Sequence, residues 1–83
     1  MTGSILVALE PEKYNSVCEF CRNDPGIISH YHVIGVFNAL LRFAVRGTRE
    51  LDELLSAIKR YGDSQTSVEL KTYFESKDIP MPE

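Results

Sequence analysis

Eighty-three residues make one domain, spanning residues 1–83, and a chain of that size buries only somewhat over half of the surface it exposes when unfolded. A composition of 43% hydrophobic and 25% charged residues is that of an ordinary soluble globular protein. The net charge of -3 argues against a phosphate backbone as the main partner, since such binding is driven by Lys and Arg, so nucleic acid is not the expected ligand. No basic region leads into an apolar core at the N-terminus, so no secretory signal is expected. Two cysteines without an export signal point to a reducing, cytoplasmic setting.

The chain begins MTGSILVAL. The apolar run Ile5 to Leu9 suits a buried strand or a short helix, because periodicity does not decide at that length. A strand needs a partner strand and the sequence offers no evident second one, so a short helix or an extended arm packed on a bundle is expected. Pro11 suits a first helical turn, and Glu10 and Glu12 favour a helix N-terminus electrostatically. Tyr14, Val17, Cys18 and Cys21 then recur at i, i+3, i+4 and i+7, one helical face. Asn23-Asp24-Pro25-Gly26 closes that helix.

The longest apolar stretch, Ser29 to Gly47, carries the architecture. At about 100° per residue its apolar side chains fall on one arc of roughly 200°, with Asn38, Tyr31, Arg42, Gly35 and Arg46 in the remaining strip. A helix that apolar needs cover from two sides, so the stretch reads as a central helix over about 29–46, capped by Ser29 and ended by Gly47. Its apolar part, about 13 residues, is too short to span a bilayer, and no membrane partner is expected. Thr48 caps the next helix, 49–61, whose Leu51, Leu54, Leu55 and Ile58 form an apolar stripe. With only Gly47 and Thr48 between them, the two helices are expected to form a tight αα-hairpin. Thr66 and Glu69 match a capping box for a short last helix over 67–77, burying Leu70, Tyr73 and Phe74, which Ile79-Pro80-Met81-Pro82 stops. The predicted fold is therefore all-α: a compact three- to four-helix bundle around a central apolar helix.

Candidate chemistry is sparse. Cys18 and Cys21 form a C-x-x-C with His30 and His32 nearby, the ligand types of a zinc site. On a helix, however, His30 and His32 project about 200° apart and share an ion only if their turn is not helical. Free cysteines on an amphipathic face serve equally as small core residues, so no cofactor is expected and zinc is the alternative. A redox role needs the first Cys at a helix N-terminus, which is not where Cys18 falls. No nucleophile stands beside a recognisable base and no Gly-rich phosphate loop is present, so an enzyme is not expected. Arg42, Arg46 and Arg49 would crowd at the hairpin turn, where helix-end charges complementing dipoles and acids explain them.

The letters Ser64-Gln65-Thr66-Ser67-Val68, followed by Ile79-Pro80, resemble the second half of repressor-type helix-turn-helix domains, where such residues open the recognition helix. That resemblance implies a small DNA-binding regulator, but the helix in question offers no Arg to read guanine. The leading expectation is instead a stand-alone protein-interaction module: a regulator, adaptor or inhibitor of a larger protein, of the kind phages encode against host machinery. So small a domain leaves apolar surface over, and Ile5, Leu6, Val7, Phe20 and Tyr31 are the expected partner surface, a homodimer being the default assembly.

Overall fold

The computed structural model describes residues 1–75, and its first element already departs from the helical expectation. Along β1 (Thr2–Leu9) burial alternates residue by residue, with Gly3, Ile5, Val7 and Leu9 turned inward. That period of two belongs to a strand whose faces meet different surroundings. The strands missing from a local reading lie far along the chain: β1 pairs antiparallel with β3 (Ala39–Ala44) on one side and with β4 (Gly62–Val68) on the other. A further strand, β2 (Ile27–His32), pairs antiparallel with β3, giving a sheet of order β2-β3-β1-β4.

Two helices complete the domain. A 3-10 turn at Pro11–Lys13 leads into α1 (Tyr14–Asn23), and α2 (Thr48–Ile58) runs into a second 3-10 turn at Lys59–Tyr61. Both match the sequence expectation, because their apolar residues recur on one face and the rest is polar. Glu50 reaches back to accept the Arg46 backbone N–H at 3.0 Å, satisfying a donor at the start of α2. The order β-α-β-β-α-β sends α1 past the β3 position and α2 past β1.

The core lies between the helices and one face of the sheet. Ile5, Val7, Leu41 and Phe43 from the central strands meet Val17 and Cys21 of α1 and Leu51, Leu54 and Ile58 of α2. Burying a side chain of this size contributes about 1.5–3 kcal/mol. Gly62 begins β4 at φ +157, and a Cβ there would overlap the Ala8 carbonyl, so only glycine fits that entry.

The all-α bundle is thus corrected to an α+β fold of four antiparallel strands and two helices. The central helix over 29–46 is β2, a loop and β3, and the αα-hairpin does not exist. Its 200° arc was the projection of an in-out alternation: Ala39, Leu41 and Phe43 point inward while Leu40, Arg42 and Ala44 lie half-buried on the other side. Gly35, at φ +152 in the connecting loop, turns the chain where the helical reading placed a mid-helix residue. Ser29 pairs across from Arg42 in the sheet and caps no helix. The helix over 67–77 is also overturned. Residues 62–68 are strand β4 and residues 69–75 form no helix, while Ile79 to Pro82 lie outside the described residues. The run Ile5 to Leu9 is strand, neither short helix nor loose arm.

Candidate functional site

The two faces of the sheet are unequal. Both helices pack on one of them, and among the described residues nothing covers the other. Register places Tyr31, Leu40, Leu6 and Gln65 in one row across that open face, with Ser29, Arg42, Ser4 and Ser67 in the next. Leu6 and Leu40 are only half-buried and Tyr31 is 54% exposed. The face carries one ion pair, Arg42 with Glu69, which neutralises itself and leaves the apolar centre unopposed. At one end the β2–β3 loop holds Ile34 wholly exposed and Val36 87% exposed. At the other end the chain leaves β4, the Glu69 N–H donating to the Thr2 carbonyl at 2.9 Å. It continues into a segment with Leu70 97% and Tyr73 83% exposed.

Of the expected partner surface, the structure keeps Leu6 and Tyr31 together on the open face. Ile5 and Val7 are completely buried against the helices, because neighbours in a strand point to opposite sides. Phe20 packs at the edge of the core, its ring 5.6 Å from that of Tyr61. A helical reading buries Leu40, Ile34 and Val36, which the sheet and its loop bring to the surface. The expected basic cluster is also divided. Arg42 lies on the open face, whereas Arg46 and Arg49 line a separate hollow with Glu50 and Glu53 beside Pro25.

A second feature lies on the helical side, in the groove between α1 and the edge strand β2. In a strand His30 and His32, two residues apart, share a side. They line a cavity of about 250 Å³ with Leu9, Tyr14 and Cys18. A neighbouring cavity of about 370 Å³ shares Cys18 and His30 and adds Cys21, Arg22 and Ile27 to Ser29. Tyr14 and His32 meet edge-on with ring centroids 5.2 Å apart. Asn38 ties this corner together: its Oδ1 accepts the Leu9 N–H at 2.7 Å, and its Nδ2 donates to the Leu9 carbonyl at 3.0 Å and to the Tyr14 hydroxyl at 2.8 Å. A helical reading puts Asn38 in the polar strip and offers it none of these partners.

Electrostatics sorts the titratable groups of the groove. Burial, helped by His32, lowers the His30 pKa from its ordinary value, so the ring is neutral at pH 7. Burial, with smaller contributions from Cys18 and Asp24, pushes the Cys21 thiol up to about 11, so it stays protonated as a core residue. Cys18 is exposed and both thiols are free. Strand geometry therefore gathers Cys18, His30 and His32 around one cavity and leaves Cys21 in the core. Among the described residues, no three His, Cys, Asp or Glu side chains converge as a metal site.

Comparison with known proteins agrees with this geometry. Residues 2–79 match the family model of the Lrp/AsnC ligand binding domain. The chain belongs to that family. Among solved structures, FFRP-DM1 superposes with a TM-score of 0.74 at 19% identity, over 83% of this chain and 97% of that one. A hypothetical protein, PHS023 from Pyrococcus horikoshii, superposes with a TM-score of 0.72 at 18% identity, over 87% of this chain and 92% of that one. At such identities these two structures speak for the fold alone. No curated protein matches the chain in sequence. As an Lrp/AsnC ligand binding domain the chain is a small regulatory domain, which replaces the readings as a phage-type inhibitor and as a helix-turn-helix DNA-binding regulator. Ser64 to Val68, the supposed opening of a recognition helix, is edge strand β4 paired with β1. No helix among the described residues is long and apolar enough to cross a membrane.

Proposed function

We propose that this chain is a ligand-binding regulatory domain that acts in the cytoplasm as a homodimer, open sheet face against open sheet face, with no catalysis of its own. The observation that carries the reading is the asymmetry of the central strands. Their inward residues are buried by the helices, while Leu6, Leu40 and Tyr31 stand on a face that nothing else in the described chain covers. A two-fold pair of such faces closes on itself and leaves no third site, and it makes a sandwich of two sheets about 10 Å apart. Free thiols suit a reducing compartment. The ligand is placed in the α1–β2 groove, where an apolar floor from Leu9 and Tyr14 meets the polar ends of His30, His32 and Arg22. Concave, mostly apolar sites with a few polar groups are where small molecules bind.

Sedimentation equilibrium tests the assembly. The wild type is expected to sediment as a dimer at micromolar concentration. Leu40→Asp, which puts a charge at the centre of the paired faces, is expected to give a folded monomer by circular dichroism. A wild type that stays monomeric into the high micromolar range would refute the dimer. The ligand site is tested separately by titrating a panel of small organic acids, amines and nucleosides into isotope-labelled protein. Amide shifts clustered at Cys18, His30 and His32 support the groove, and shifts confined elsewhere remove it.

A further inference from the structure

The groove between α1 and β2 is graded along its length. Tyr14, Cys18 and Arg22 follow one another every fourth residue, so they line one edge of α1 over about 12 Å. The histidines of β2 answer them in reverse order, His32 against Tyr14 and His30 beside Cys18. At the Tyr14 end the cavity is walled by Leu9 and two rings, whereas the cavity at the other end holds the Arg22 guanidinium. Both cavities are lined by Cys18 and His30, so they adjoin at those two residues.

Charge in the groove has one sign. Arg22 is exposed, and it is the one permanently charged side chain among the residues lining either cavity. It enters neither of the two ion pairs found among the described residues. No carboxylate lines the groove. The acids nearest in sequence are held elsewhere: Asp24 accepts the Gly26 N–H at 2.8 Å, and Glu19 lines a different hollow with Phe20 and Tyr61. Hydrogen-bonding capacity leans the same way. Arg22 brings a fork of N–H donors. The Tyr14 oxygen already accepts from Asn38 at 2.8 Å, which leaves its O–H to donate, and the Asn38 carbonyl oxygen is taken by the Leu9 N–H at 2.7 Å. An anion is received by such a lining. An ammonium meets Arg22 as a like charge and finds no carboxylate to neutralise it.

We infer that the groove selects carboxylic acids with an apolar body and no amine, the body lying against Leu9, Tyr14 and His32 and the carboxylate held by Arg22. This rests on the ligand groove proposed above and names the class of molecule it takes. A planar guanidinium grips a carboxylate through two parallel hydrogen bonds, which fixes which way round the acid lies. An acid that reaches from the rings to Arg22 passes over Cys18 and covers its exposed thiol. The same skeleton carrying an α-ammonium is rejected, because the second charge has no partner in the groove.

Four probes of nearly equal size separate the charges: phenylpropionate, phenylalanine, phenethylamine and the neutral phenylpropanol. Each is titrated into isotope-labelled protein, and the rate at which iodoacetamide alkylates Cys18 is followed in parallel. Phenylpropionate is expected to shift the Tyr14, His32 and Arg22 signals and to slow alkylation of Cys18. It should bind about tenfold more tightly than phenylalanine or phenethylamine. Arg22→Gln, at an exposed position, should weaken phenylpropionate about tenfold and leave phenylpropanol unchanged. Phenylalanine bound as tightly as phenylpropionate, or Arg22→Gln without effect on the acid, overturns the selectivity and leaves the groove standing as a ligand site. Phenylpropionate that moves no groove signal also overturns it. If the amines and nucleosides of the wider panel move none either, the groove itself is lost.

Discussion

Residues 27–44 and residues 48–58 are both rich in apolar side chains, and they solve the problem of covering them differently. In α2 the apolar residues Leu51, Leu54 and Ile58 are buried on one side, while Asp52, Glu53 and Ser56 keep the opposite side in water. One neighbouring layer is enough for it. The hairpin of β2 and β3 has apolar residues on both sides, with Leu41 and Phe43 under the helices and Leu40 and Tyr31 facing away. It needs two layers, and the described chain supplies one. A wide apolar arc is therefore a sign of a two-sided element, and the second cover must come from outside the segment.

The largest effects should separate the two sides of β3. Phe43→Ala removes a completely buried ring and is expected to cost about 3–5 kcal/mol of stability by urea denaturation. Leu40→Ala, one strand position over from Leu41, is expected to cost under about 1 kcal/mol to the isolated fold and to act on association instead. Equal costs for the two, measured under conditions where the protein is monomeric, would break the distinction between inner and outer faces. Next in size is the entry to β4. Gly62→Ala forces a side chain into a backbone conformation it rarely adopts and against the Ala8 carbonyl, and a loss of about 1–3 kcal/mol is expected from its thermal midpoint. A neutral outcome would mean that the helix-to-sheet handover relaxes freely.

A smaller effect tests the inward side of β2. The His30 pKa is lowered in the folded chain, so below its ordinary value of 6.5 the unfolded state takes up a proton that the folded state resists. Stability is full above that value and is lost as pH falls through it. His30→Gln should flatten the fall in urea midpoint between about pH 7 and pH 5.5. An unchanged slope would show that His30 is solvated like an outward residue. The smallest effect belongs to the outer face. Glu69→Gln breaks an exposed pair with Arg42 and should change monomer stability by well under 1 kcal/mol in a chemical melt. A larger loss would mean that the pair is more enclosed than the open face allows.

Both helices were legible because each carries its own evidence: a stripe at i, i+3 and i+4, acids at the start and a breaker at the end. The sheet was not, because strand pairing is a property of distant residues. Ile5 finds Leu41 and Thr66, and nothing local to Ile5 announces either. One signal was available. Val33, Ile34, Val36 and Phe37 are β-branched or aromatic around Gly35, a composition that favours strands and a turn over a helix. The site was half legible for the same reason. Tyr31 lies off the apolar arc of a helical reading, and in the sheet it faces outward as well. Cys18, His30 and His32 stand out by residue type, but only the period of two puts both histidines on one side.

The register of β2 slips between Ile27, paired with Phe43, and Ser29, paired with Arg42. The extra residue, Ile28, reverses the parity of everything after it. Ile27 can thus join the core while His30 and His32 still face the helical side and Tyr31 faces away. Parity makes this strand tolerant of substitution and intolerant of a change in length. A one-residue deletion at Ile28 would remove the bulge and keep Ile27 opposite Phe43 and Ser29 opposite Arg42, whereas a one-residue deletion between Ser29 and His32 would turn part of the strand inside out. Among variants of this chain, a single deletion in β2 should be tolerated at Ile28, and elsewhere in the strand changes of length only in steps of two or with a compensating change in β3.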